Sequence, residues 1–142
     1  MKKYLYSILT LCWVALIFSF SLQPADASSQ VSSGLLRTLL ETFLPGLVER
    51  LSAAQLEMLE FLVRKCAHFT EFAILGALSA LTVAQMRLRR GRLCAIAFCV
   101  LVACADEMIQ LCSDGRAARL VDVLLDSAGA LVGIWVAFWM RR

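Results

Sequence analysis

The sequence lacks the signatures of soluble nucleotide chemistry and of small metal-binding domains. It contains no glycine-rich phosphate loop, no serine-nucleophile elbow, no Cys-x-x-Cys pair and no strand-like segment. The net charge is also small, at +3, and the basic residues form short clusters rather than one helical face. These absences argue against a soluble nucleotide enzyme and against a nucleic-acid-binding protein.

The sequence is instead rich in hydrophobic residues. Hydrophobic residues make up 61% of its 142 residues, and the mean hydropathy of +0.77 lies well above that of soluble globular proteins. Five of the six cysteines lie inside apolar runs, which predicts small buried side chains rather than a disulfide framework or a zinc site. The length suits one domain, so we predict a single membrane domain over residues 1–142.

Four segments are long enough to cross a bilayer core, which takes about 20 apolar residues of helix. They are residues 4–22, 61–86, 93–112 and 120–140. The predicted fold class is therefore all-α: an integral membrane bundle of four transmembrane helices with a short amphipathic outer connection.

Lysine and arginine predict the orientation of this bundle, because they collect in cytoplasmic loops. Four crossings place the basic residues of 2–3, 87–92 and 141–142 on one side. We therefore expect a multi-pass protein of the cell inner (cytoplasmic) membrane with both termini cytoplasmic. Arg116 and Arg119 are exceptions, because they fall on the outer side.

The first 27 residues also resemble a secretory signal, since two lysines precede an apolar stretch and Ala25-Asp-Ala27 resembles a cleavage site. The apolar stretch has about 19 residues, which is long enough to span a bilayer. We therefore expect this segment to remain as the first helix.

The outer connection covers residues 23–60. Its polar beginning, residues 27–34, predicts a turn-rich piece. Apolar residues at helical spacing over 34–51, broken at Pro45-Gly46, predict one or two short amphipathic helices at the outer interface. The capping-box pattern Ser52-Ala-Ala-Gln55 predicts that the second long helix begins there.

Ionisable and polar residues gather on three of the predicted helices. They are Arg64, Lys65, His68 and Glu71 on the second, Asp106, Glu107 and Gln110 on the third, and Asp122 and Asp126 on the fourth. At 1.5 Å per residue, Asp106 and Asp126 each lie about 10 Å below the outer end of their span. A charge that faces lipid is costly, so such groups normally face the bundle interior. We predict that they line an outward-open polar pocket.

Roles within this pocket follow from residue type. His68, Glu71 and Asp106 are the candidate catalytic residues, with His68 as general acid or base. The candidate ligand-binding residues are Arg64, Lys65, Glu107, Gln110, Arg116, Arg119, Asp122 and Asp126. The alternative for the whole set is structural pairing, in which opposite charges only hold the helices together.

Metal binding is a further alternative for the same residues. His68-x-x-Glu71 has the spacing of metal ligands in carboxylate bundles, and with Asp106 and Asp126 it could form a hard-cation site. Because this spacing is common by chance, we predict no metal and no cofactor.

Small residues predict where the helices pack closely. Gly129-x-x-x-Gly133 with Ala130 permits close contact on the fourth helix, and Gly76 permits it on the second.

Several ordered pieces of the sequence form a pattern that covers nearly the whole chain. They are Ser19-Phe-Ser-Leu-Gln-Pro24 with Ser28 and Ser32, Arg64-Lys-Cys-Ala-His-Phe-Thr-Glu-Phe72 with Gly76, Asp106-Glu-Met-Ile-Gln110, Gly115-Arg116, and Asp122-Val-Leu-Leu-Asp126 with Gly129 and Gly133. Together they resemble the VanZ-like family of small bacterial membrane proteins, named after an accessory protein of teicoplanin resistance. The resemblance implies a cell-envelope location and a link to antibiotic resistance, and it points to the same polar residues.

Three classes of function stay open. The first is a protein that binds an envelope lipid headgroup or a glycopeptide-related ligand, with Arg64, Arg116 and Arg119 on its phosphate or carboxylate. The second is an intramembrane enzyme that acts on an envelope lipid through His68. The third, proton- or cation-coupled transport, ranks last because no inverted repeat is visible. Expected partners are membrane lipids and a small anionic or lipid-linked ligand, with an oligomer as an open alternative and no nucleic acid.

Overall fold

A computed structural model describes residues 4–116 and 118–141. Within these residues the regular structure is entirely helical. The elements are α1 (Leu5–Ser21), α2 (Ala25–Phe43), a 3-10 turn at Val48–Arg50, α3 (Ala53–Gln85), α4 (Gly91–Gln110) and α5 (Leu120–Trp139). Lys2, Lys3 and Arg142, on which part of the predicted orientation rests, lie outside the described residues.

Three of the described helices, α3, α4 and α5, are long and apolar enough to cross a membrane. The 17 residues of α1 extend about 26 Å, slightly less than the roughly 30 Å of a hydrocarbon core. A 105° bend joins α1 to α2, and the bent pair qualifies as one further span. The predicted helical membrane bundle is confirmed, with three to four candidate spans.

The long helix α3 begins where its capping box predicts. The hydroxyl of Ser52 accepts a hydrogen bond from the backbone N–H of Gln55, and the Gln55 side chain accepts one from the backbone N–H of Ser52 at 2.9 Å. The helix then runs for 33 residues, about 50 Å, so it extends beyond a bilayer core. It ends before Arg87, whose φ of 54° cannot continue a right-handed helix.

The beginning of α2 corrects one expectation. Residues 27–34, predicted as turns, are helical. The hydroxyls of Ser32 and Ser33 donate to the carbonyls four residues earlier, at 3.0 and 2.9 Å, so the helix satisfies the polar groups that suggested turns. The predicted break at Pro45-Gly46 is confirmed, because α2 ends at Phe43 and Gly46 has a φ of 81°.

Backbone contact between α3 and α5 confirms the predicted role of the small residues. A methyl group would overlap the Phe69 carbonyl if placed at Gly129, the Ala73 carbonyl if placed at Gly133, and the Ala130 carbonyl if placed at Gly76. Only glycine permits such an approach. This crossing brings the site residues of α3 and α5 to one level of the bundle.

The other helices close the bundle around α3. The core contains Ile17 of α1, Phe72 and Leu75 of α3, and small residues of α4 and α5. Polar bonds fasten α1 to α3, since Thr10 and Thr82 share a 3.0 Å hydrogen bond and the indole N–H of Trp13 donates to the Glu71 carbonyl at 2.9 Å.

The cysteines correct a second expectation. Cys99 is buried against Ser79, but Cys12, Cys66, Cys94, Cys104 and Cys112 lie on the surface of the bundle. An apolar run in a membrane helix has one side toward lipid, which is as apolar as the protein interior. Membership of such a run therefore does not predict burial.

Candidate functional site

The polar residues meet at one end of the bundle. There α1 ends at Ser21, α4 ends at Gln110 and α5 begins at Leu120, beside the middle of α3. The Ser113 hydroxyl donates to the Ser21 carbonyl at 2.9 Å, and the Ala25 N–H donates to the Asp114 carbonyl at 3.1 Å. The bend after α1 and the turn after α4 therefore form a joint rim.

A cavity of about 280 Å³ opens at this rim. Its walls come from the end of α1, the first half of α2, α3 and the turn after α4. The lining residues are Phe20, Gln23, Ser28, Val31, Ser32, Arg64, Ala67, His68, Glu71 and Arg116. Four members of the predicted site set, Arg64, His68, Glu71 and Arg116, thus share one cavity.

Two arginines give this cavity its positive charge. Arg64 donates from Nη2 to the Ser29 hydroxyl at 3.1 Å, while its buried Nε has no hydrogen-bond partner within the described residues. Burial lowers the pKa of Arg116, and the positive charge of Arg64 lowers that pKa further. No described carboxylate forms an ion pair with either guanidinium. Neither guanidinium is therefore neutralised by an ion pair, and both can attract an anion. The Glu71 carboxyl group in the same cavity and the nearby Asp106 and Glu107 oppose that attraction when ionised.

A buried acid cluster, which we define as His68, Asp106 and Asp126, lies behind the cavity. One ligand atom of each residue lies within 4.8 Å of the other two. Asp106 is fully buried and accepts hydrogen bonds from the Ser21 hydroxyl at 2.5 Å and from the Gln110 amide at 2.9 Å. In the described part of the chain, neither carboxylate oxygen of Asp126 has a hydrogen-bond partner. The Nδ1 atom of His68 has none there either.

The remaining members of the predicted set contact one another outside the cavity. The Lys65 ammonium forms an ion pair with Asp122 at 2.5 Å, which joins α3 to α5. Glu107 accepts a hydrogen bond from the backbone N–H of Arg119 at 2.8 Å, which holds the start of α5 to α4. The Lys65–Asp122 contact has the geometry of the structural-pairing alternative, whereas Glu107 bonds to a backbone N–H and not to an opposite charge.

Sequence reasoning missed the neutral residues of the site. Ser21 orients Asp106, and Gln23, Ser28 and Ser32 line the cavity. None of these four residues is charged. The free-energy cost of placing a charge in a membrane, which identified the ionisable residues, therefore does not identify them. All four belong to the family pattern, which was the one signal that could have identified them.

An apolar groove of about 520 Å³ adjoins the cavity. Residues of α1, α2 and α3 line it, and Leu35, Leu39, Leu59, Leu62 and Val63 form most of its wall. The groove shares Ala67 and Glu71 with the cavity. The cavity and the apolar groove therefore adjoin at these two residues.

Comparison with known proteins gives one family match. The family model described as VanZ/LLP1 matches residues 6–141, essentially the whole chain. No curated protein and no solved structure matches the chain significantly.

Proposed function

Because the chain belongs to the VanZ/LLP1 family and is a helical membrane protein, we propose that it binds the anionic headgroup of a cell-envelope lipid. The cavity with Arg64 and Arg116 receives the headgroup, and the adjoining groove receives an acyl chain. The observation that carries the proposal is that Ala67 and Glu71 line both the cavity and the groove.

The chemistry of the cavity suits a phosphate ester. Two guanidinium groups offer several N–H donors in planar forks that match phosphate oxygens. Ser28 and Ser32 of α2 also line the cavity, and the Ser32 hydroxyl, which donates to the Ser28 carbonyl, can still accept a hydrogen bond. A volume of about 280 Å³ is near the lower limit of small-molecule pockets. It favours a small headgroup over a whole glycopeptide antibiotic.

The groove supports a lipid rather than a water-soluble anion. Its lining is apolar over Leu35, Leu39, Leu59 and Leu62. An acyl chain gains little by leaving bilayer tails for such a groove, because both are equally apolar. The groove therefore lets a lipid keep its chain in apolar surroundings while the headgroup supplies the affinity.

The location follows from charge. Arg87, Arg89, Arg90 and Arg92 lie at the α3–α4 turn, at the other end of these helices from the cavity. The positive-inside rule assigns that turn to the cytoplasm. We place the protein in the cell inner membrane, with the cavity toward the outer leaflet and both termini cytoplasmic. A link to teicoplanin resistance, which the family resemblance implies, would then act through an envelope lipid.

An enzyme that acts on an envelope lipid is the second candidate. It is favoured by the unpartnered Nδ1 atom of His68, which stands between the cavity and the buried acids of the described structure. An imidazole in that position could exchange a proton with a bound headgroup. Turnover of an added lipid that His68→Ala abolishes would support this candidate.

Lipid retention in nanodiscs tests the binding proposal. The protein is reconstituted with phosphatidylglycerol and phosphatidylcholine in equal amounts, released into detergent, and its bound lipid is measured by native mass spectrometry. We expect the wild type to retain phosphatidylglycerol. Arg64→Gln should weaken retention by about tenfold or more, because a hydrogen bond to a charged group contributes roughly 1.5–3 kcal/mol.

Arg37→Gln is the matched control, because Arg37 is exposed on α2 and does not line the cavity. It makes the same change of charge in the same part of the chain. Equal retention of both lipids by the wild type, or equal losses in the Arg64 and Arg37 variants, would contradict the proposal.

A further inference from the structure

The carboxylate of Asp126 is anomalous. It is 1% exposed, and among the described residues neither of its oxygens has a hydrogen-bond partner. Buried polar groups are almost always paired, because a buried carboxylate loses its hydration and needs a hydrogen bond or an opposite charge to compensate. We therefore expect Asp126 to bind a partner that is not a side chain of the described structure.

The orientation of Asp126 narrows the choice of partner. Its carboxylate points toward Asp106 and toward a ring nitrogen of His68, with the three ligand atoms within 4.8 Å of one another. Two carboxylates so close in a bundle interior repel unless a positive charge or a proton lies between them. Among the neighbouring cationic groups, Lys65 pairs with Asp122 and Arg64 bonds to Ser29. Arg116 attracts the Asp106 carboxylate but forms no ion pair with it.

We propose that His68, Asp106 and Asp126 bind one divalent transition-metal cation. Three atoms separated by at most 4.8 Å have a common centre within about 2.8 Å of each, so a contraction of under about 1 Å gives the bond lengths of zinc. An imidazole nitrogen with two carboxylate oxygens suits Zn²⁺ or Mn²⁺, whereas Mg²⁺ and Ca²⁺ prefer oxygen ligands alone.

The surroundings of Asp106 match those of a metal ligand. Its oxygens accept hydrogen bonds from Ser21 at 2.5 Å and from Gln110 at 2.9 Å. Such outer contacts hold ligating carboxylates in place in metal sites. Each oxygen keeps a free lone pair for a cation. The three ligands come from α3, α4 and α5, so a metal would also join these helices.

Three protein ligands leave an open coordination position. Because His68 also lines the cavity, an anionic headgroup in the cavity could supply a further ligand to a metal held by these residues. This last step rests on the proposed function, whereas the metal site itself does not.

Metal content tests the inference directly. The full-length protein in nanodiscs is stripped with a chelator, incubated with Zn²⁺ or Mn²⁺, separated from free ions, and measured by inductively coupled plasma mass spectrometry. We expect about one metal ion per chain in the wild type. Asp126→Asn and His68→Gln should each lower metal affinity about tenfold or more.

Asp122→Asn is the matched control. It makes the same chemical change one helical turn away on α5, at a carboxylate that pairs with Lys65 outside the cluster. Lys65→Gln is added to this variant so that no unpaired ammonium is left near Asp126, and the double variant should bind metal like the wild type. The visible absorption of Co²⁺ bound to the wild-type protein provides a second readout, because it reports nitrogen and oxygen ligands. This measurement needs no variant, so it remains valid if a variant fails to fold.

Several results would overturn the metal site: a wild type that binds no metal, a double variant that loses as much as the Asp126 variant, or a Co²⁺ spectrum of fully hydrated ion. Phosphatidylglycerol retention, measured on the same samples, keeps the two ideas separate. Retention without any bound metal contradicts the metal site alone, and bound metal without retention contradicts the proposed function alone.

Discussion

A carboxylate oxygen of Asp126 on α5 lies within 4.8 Å of a ring nitrogen of His68 on α3. This proximity depends on the backbone. One turn after Asp126, Gly129 packs against the carbonyl of Phe69, the residue that follows His68. The glycine contacts that hold the helices together therefore also set the spacing of the site.

Gly133→Ala should destabilise the bundle. The added methyl group meets the backbone carbonyl of Ala73, which cannot move as a side chain can, so α3 and α5 must separate. Overpacking of this kind typically lowers the free energy of unfolding by about 1–3 kcal/mol. Thermal unfolding followed by circular dichroism in detergent measures the change as a lower Tm. Gly34→Ala is the control, because a methyl group there meets nothing within 4 Å; similar Tm values for both variants would contradict the close packing.

Ser21→Ala should weaken the site as well as the fold. It removes the hydroxyl that donates to the buried Asp106 at 2.5 Å, and loss of one partner of a buried charged group lowers stability by about 1–3 kcal/mol. Ser19→Ala is the control, since the exposed Ser19 hydroxyl bonds only to the Leu16 carbonyl on its own helix. Thermal unfolding and metal content are measured for both. Unchanged metal content in Ser21→Ala would show that Asp106 needs no such support.

The Lys65–Asp122 ion pair should act in stability rather than in binding. Its side chains are only 21% and 19% exposed, so removal of one partner leaves a poorly hydrated charge. A double-mutant cycle with Lys65→Gln and Asp122→Asn should give a coupling of about 1 kcal/mol or more. Phosphatidylglycerol retention should stay at the wild-type level in the double variant. Strictly additive effects on Tm, or loss of retention, would assign these residues another role.

Removal of metal should lower the stability of the wild type alone. A cation that binds only the folded protein stabilises it by about 2.7 kcal/mol at a concentration one hundred times its Kd. Chelator should therefore lower the Tm of the wild type and leave the Tm of Asp126→Asn unchanged. Differential scanning fluorimetry with and without Zn²⁺ makes the comparison. An equal shift in both proteins would assign the stabilisation to a different place.

The elements with strong local signals could be predicted without a structure. The capping box at Ser52 and Gln55 determines the start of α3 through hydrogen bonds between near neighbours. Gly129 and Gly133 predict a close helix contact because their spacing places both on one face. The beginning of α2 was predicted wrongly, because serine suits both a turn and a helix in which its hydroxyl bonds to the preceding turn.

The charged residues of the site could be predicted from the sequence, but the contacts among them could not. The cost of charge in a membrane selected His68, Asp106 and Asp126, which the structure brings together. The same argument selected Lys65, Glu107, Arg119 and Asp122, which form contacts outside the cavity. It overlooked Ser21, whose contact with Asp106 joins residues 85 positions apart.

The sequence by itself determined that this chain forms apolar helices in a membrane and that its ionisable residues must avoid lipid. Both follow from solvation, which acts on each segment separately. Only the tertiary structure decided which charges pair with one another, which line the cavity, and that Asp126 faces His68 and Asp106 without a partner of its own among the described residues. These outcomes depend on how α3 and α5 cross, and that crossing is set by contacts between segments far apart in the chain.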